Sequence, residues 1–74
     1  MTPSATILIA DDDELSARFL KRLLTREGHH VSIVHSGDEA LQICATNPPD
    51  LVLIDLVGAG RPRLRGVARS RSRS

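Results

Sequence analysis

The sequence predicts an α/β fold built on a doubly wound parallel sheet, and three observations carry that prediction. Two short apolar runs, Thr6 to Ala10 and Leu51 to Ile54, each lead into carboxylates. Two stretches between them place apolar residues at helical spacing. The connections are short and carry turn or cap residues. Strand, helix, strand, helix, strand in that order calls for parallel strands joined by right-handed crossovers.

Thr6 to Ala10 has two isoleucines and almost no polar residue, as a strand buried on both faces requires. The acidic run Asp11-Asp12-Asp13-Glu14 follows it. Asp13 is placed to cap a helix, and Glu14 suits the positive end of the helix dipole. Leu15, Phe19, Leu20, Leu23 and Leu24 form the stripe expected to pack on the sheet, with Arg18, Lys21, Arg22 and Arg26 largely opposite. Gly28 fits the helix C-cap, and His29 to Val34 supplies the second strand.

Ser36-Gly37-Asp38-Glu39 reads as a capping box opening a second helix. Ala40, Leu41, Ile43 and Cys44 give that helix its expected buried side. Asn47-Pro48-Pro49 ends it, because proline lacks the amide donor and restricts its predecessor. Leu51 to Ile54 is the third strand, with Asp55 at its end.

The charge is sharply divided. Residues 1–57 carry −5 and residues 58–74 carry +6, all of the latter from arginine. The tail shows neither helical nor strand periodicity, so residues 58–74 are expected to form a disordered basic tail. With no 18-residue apolar stretch and no charged leader before an apolar core, the chain is expected to be cytoplasmic, without membrane contact. Cys44 is the only cysteine, which excludes an intrachain disulfide and a multi-thiolate metal site.

In doubly wound sheets, sites form beyond the carboxyl ends of the strands. Asp11, Asp12 and Asp55 fall there if the first and third strands are neighbours. Clustered carboxylates repel one another, and a hard cation such as Mg2+, which prefers oxygen ligands, relieves that repulsion. An acid-rich helix start with no ligand is the plainer reading of Asp11 to Glu14 taken alone.

Over residues 5–57 the sequence resembles the receiver domain of two-component response regulators. The motifs are Ile7-Leu8-Ile9-Ala10-Asp11-Asp12-Asp13-Glu14, the Gly28-His29 turn, Ser36-Gly37-Asp38-Glu39-Ala40-Leu41 and Pro49-Asp50-Leu51-Val52-Leu53-Ile54-Asp55-Leu56. The resemblance implies a flavodoxin-like receiver fold, here incomplete. It further implies that Asp11 and Asp12 hold magnesium and that the Val57 backbone carbonyl completes the metal shell. Asp55 would accept a phosphoryl group from a sensor histidine kinase or phosphotransfer protein, and also ligate the metal. Such a phosphorelay receiver is its own substrate, so it is expected not to be an enzyme in the ordinary sense.

After Val57 the sequence leaves the pattern. Gly58-Ala59 stands where a Met-Pro pair is usual, and Lys21, in the first helix, cannot match the family's lysine from a later strand. A truncated or frameshifted product is therefore expected, with doubtful activity and an unpaired outer edge on the third strand that invites a homo-oligomer. Inactive fragment is one alternative. Non-specific nucleic-acid binding through Arg69-Ser70-Arg71-Ser72-Arg73-Ser74 is another, disfavoured by the lack of aromatic residues for stacking. A hydrolase with Asp11 as nucleophile lacks a hydroxyl-bearing motif after Asp13. His29, His30 and His35 lack a second ligand pair for zinc.

Overall fold

The computed structural model describes residues 4–57 and 63–68. Its elements run β1 (Thr6–Asp11), α1 (Glu14–Arg26), β2 (His30–Val34), α2 (Gly37–Thr46), β3 (Leu51–Val57) and β4 (Arg63–Ala68). The four strands make one mixed sheet in the order β2-β1-β3-β4. β1 pairs in parallel with β2 and β3, and β4 runs antiparallel to β3. This is an incomplete flavodoxin-like α/β receiver fold.

β1 is central, which explains its unbroken apolar sequence. Ile7 and Ile9 face one side and pack with Ala17, Leu20 and Leu24 of α1. Leu8 and Ala10 face the other and pack with Ala40, Ile43 and Cys44 of α2. Alternate residues of one strand thus serve two cores. At the amino edge, the Thr6 amide donates to Asp50 Oδ2 at 2.9 Å and the Asp50 amide donates to the Thr6 carbonyl at 2.8 Å. These two hydrogen bonds tie the residue before β3 to the start of β1.

The α1 stripe differs from expectation. Ala17 is its one fully buried residue, and Leu20 and Leu24 are half-buried beside it. Leu15, Phe19 and Leu23 are exposed, Leu15 by 76% and Phe19 by 63%. The helix rests on the sheet through its small alanine, and the larger residues four apart fall on a ridge turned away. Leu41 of α2 is likewise exposed, while Ala40 takes the contact.

The helix ends follow their local chemistry closely. Gly28 has φ +95°, its amide donates to the Thr25 carbonyl, and the His29 amide donates to the Leu24 carbonyl. That pair of bonds is a Schellman motif, whose left-handed residue favours glycine. Ser36 Oγ accepts the Glu39 amide at 3.2 Å, and the Glu39 carboxylate accepts the His35 amide at 3.0 Å. The capping box therefore closes one residue earlier than the sequence pattern suggests.

The basic tail holds the largest departure. Residues 63–68, expected to be disordered, form β4 on the outer edge of β3. Its register places Leu64 across from Leu56 and Ala68 across from Val52. The outer edge of β3, expected to be unpaired and to drive oligomerisation, is occupied; β2 and β4 are the edge strands. The expected disorder of residues 58–62 and 69–74 lies outside the described residues.

Candidate functional site

The carboxyl ends of β1 and β3 bring two carboxylates together. Asp11 and Asp55 are Cα partners in the parallel ladder, the last pair of that register. Parity along both strands puts them on the α1 side, with Ile7, Ile9, Leu51 and Leu53. Asp11 is the one buried charged residue among the described residues, at 1% exposure. Asp55 is half-buried and lines a shallow depression with Leu20, Leu53, Ile54, Gly66 and Val67.

Asp11 is held by the turn it begins. Its Oδ1 accepts the Asp13 amide at 2.9 Å, a side-chain turn that releases the chain from β1 into α1. Asp13 occupies the N-cap, but its side chain accepts the Ser16 hydroxyl instead of a backbone amide. His35, just past β2, donates from Nδ1 to the Asp11 carbonyl at 3.2 Å. His29 does different work, its Nδ1 accepting the Ala5 amide at 3.1 Å.

Asp12 follows Asp11 at the exposed rim. Val57 ends β3, two residues beyond Asp55. The donor set is all oxygen, which suits a hard cation such as Mg2+. Among the described residues, no three His, Cys, Asp or Glu side chains converge as a ready metal group. The register thus brings Asp11 and Asp55 side by side and leaves Asp12 at the rim.

On the other side of Asp55 stands a residue that sequence reasoning passed over. Arg65 of β4 is its Cα partner in the antiparallel ladder. The signal was weak but present. Arg63 and Arg65 alternate with Leu64 and Gly66, as charged and uncharged faces of a strand do.

The sequence model of the response regulator receiver domain matches residues 7–61. The chain belongs to the response regulator receiver domain family. Receiver domains serve phosphorelay signalling in general and generally bind Mg2+ at the site of phosphorylation. Response regulator MprA of Mycobacterium ulcerans (strain Agy99) is 38% identical over 64 residues, covering 86% of this chain and 26% of the relative. MprA of Mycobacterium tuberculosis matches to the same extent. MprA of Mycobacterium avium (strain 104) is 38% identical over 61 residues, covering 82% of this chain and 25% of that protein. The chain therefore spans about a quarter of the length of these curated relatives. No solved structure gives a significant match. No helix among the described residues is long and apolar enough to cross a membrane.

Proposed function

We propose that this chain is a cytoplasmic phosphoacceptor, taking a phosphoryl group on Asp55 from a sensor histidine kinase or a phosphotransfer protein. The observation that carries the reading is the pairing of Asp11 with Asp55 at the ends of adjacent parallel strands. Family membership and the likeness to response regulator MprA support it.

Asp55 provides the nucleophile. One carboxylate oxygen attacks phosphorus, the O–P bond forms as the P–N bond of a phosphohistidine breaks, and the departing imidazole nitrogen takes a proton from solvent. Asp11, Asp12, Asp55 and the Val57 carbonyl would hold Mg2+, which when bound offsets the negative charge on the phosphoryl oxygens. Asp11 is kept in place for this by the Asp13 amide. Because Asp55 is consumed until the acyl phosphate hydrolyses, the chain acts as a switch and not as a turnover enzyme.

The test is incubation with acetyl phosphate and magnesium, followed by intact mass measurement. One added phosphoryl group, lost in Asp55→Asn and removed by hydroxylamine, is the expected result. A chain that stays unmodified, or an Asp55→Asn variant that still gains the group, would sink the reading.

A further inference from the structure

We propose that His35 is a positioning residue for the acidic site: its Nδ1–H holds the peptide that joins Asp11 to Asp12, and so fixes how those two acids stand to each other when they take a hard cation. The cation step rests on the phosphoacceptor reading, in which Asp11 and Asp12 hold magnesium; the bond and its proton do not.

The hydrogen bonds around His35 carry the argument. Its Nδ1 lies 3.2 Å from the Asp11 carbonyl oxygen. A carbonyl can only accept, so Nδ1 bears the proton. That carbonyl belongs to the peptide unit between Asp11 and Asp12, and a peptide unit is planar. A donor fixed to its oxygen therefore limits rotation on both sides, where the two carboxylates branch. The backbone pairing of β1 with β2 ends at Ala10 and Val34. One residue on, the imidazole takes over the link between the two chains. Asp11 is almost wholly shielded from water, and a shielded carbonyl needs a protein donor.

His35 is itself held. Its amide donates to the Glu39 carboxylate at 3.0 Å, and the Glu39 amide donates in turn to Ser36 Oγ. The start of α2 is thereby tied through His35 to the end of β1. The Asp11 side chain continues the link to the Asp13 amide, at the start of α1. One run of bonds joins the beginnings of both helices across the acidic site.

His29 supplies the contrast. Its Nδ1 accepts the Ala5 amide at 3.1 Å, so that nitrogen carries no proton. As neutral rings, His35 is the Nδ1–H tautomer and His29 the Nε2–H tautomer. Ala5 precedes β1, so His29 ties down the end of that strand away from the acids. It is the natural control.

The test has two parts, both on the full chain. Long-range proton–nitrogen NMR correlation at about pH 8.5, where a free imidazole is neutral, should show the proton on Nδ1 of His35 and on Nε2 of His29. Magnesium titration followed through backbone amide shifts then compares wild type with His35→Asn, His35→Gln, His35→Ala and His29→Ala. Asn places an amide N–H where Nδ1 stands and should keep the affinity within about twofold. Gln and Ala should weaken it about tenfold, the scale usual for a partner behind a metal ligand. His29→Ala should leave it unchanged in the folded chain, whatever it costs in stability. An Nε2–H tautomer at His35 overturns the bond, and that measurement needs only the wild-type chain. Equal affinities throughout, a loss in His35→Asn as large as in His35→Ala, or a wild type that binds no magnesium overturns the positioning role. The expected pattern in a chain that never takes a phosphoryl group from acetyl phosphate would uphold that role and overturn the phosphoacceptor reading.

Discussion

Asp11 binds the backbone of Asp13, Oδ1 to amide at 2.9 Å, while its side chain is almost wholly shielded from water. One buried carboxylate therefore has two tasks, closing the turn into α1 and standing beside Asp55. The two tasks can be separated by substitution. Asn keeps an oxygen for the Asp13 amide but removes the charge, relieving both burial cost and repulsion. Asp11→Asn should therefore stabilise the magnesium-free chain, by on the order of 1 kcal/mol. It should also abolish any rise in melting temperature on adding magnesium. Asp11→Ala removes the acceptor as well and should destabilise by about 1–3 kcal/mol. Thermal unfolding of the three proteins with and without magnesium checks both signs.

β3 lies between β1 and β4, so its amides have partners on both sides. In a strand, successive amides point to alternate neighbours. Amide hydrogen exchange should accordingly show continuous protection through the body of β3. Edge strand β2 should show every second amide exchanging quickly. The same alternation in β3 would mean that β4 does not pair with it.

The parts of the fold that were legible in the sequence are those where one short-range rule decides the outcome. Unbroken apolar runs marked β1 and β3, Gly28 marked the end of α1, and Ser36 with Glu39 marked the start of α2. Asp11 and Asp55 were legible as neighbours only on the condition that the first and third strands are adjacent, and the strand order meets that condition. The face of α1 was not. Leu15, Phe19, Leu23 and Leu20, Leu24 all have helical spacing, and the choice between the two stripes is made by which residue lets the helix approach the sheet. Ala17 does, and hydrophobicity alone gives alanine too little weight to reveal it. β4 was hidden for a related reason. Three arginines, a glycine and a proline between residues 61 and 66 outweigh two apolar side chains in any compositional reading, whereas pairing depends on what lies opposite.

Gly28→Ala isolates the cost of one backbone conformation. A Cβ built at Gly28 would meet nothing within 4 Å, so crowding is not the obstacle. The obstacle is φ +95°, which a residue with a Cβ adopts only with strain. The expected loss is about 1 kcal/mol by urea unfolding. A neutral result would show that the turn from α1 into β2 relaxes to another form.

Leu8 and Phe19 offer the sharpest contrast between sequence pattern and packing. Both are large apolar residues in regular elements, and hydrophobicity alone would rank phenylalanine at least as high. Leu8 is 1% exposed between β2 and β3 and contributes to the α2-side core. Truncating it leaves a cavity, so Leu8→Ala should cost about 2–5 kcal/mol. In a chain of this size that is a large share of the total stability. Phe19 stands on the exposed ridge with Leu15 and Leu23. Phe19→Ser should therefore change the monomer's stability by less than about 0.5 kcal/mol. Its effect should fall on solubility and self-association, since an exposed apolar ridge favours contact between molecules. Urea unfolding and sedimentation velocity on both variants separate the two effects. A large loss of stability in Phe19→Ser would show that the ridge is buried in solution.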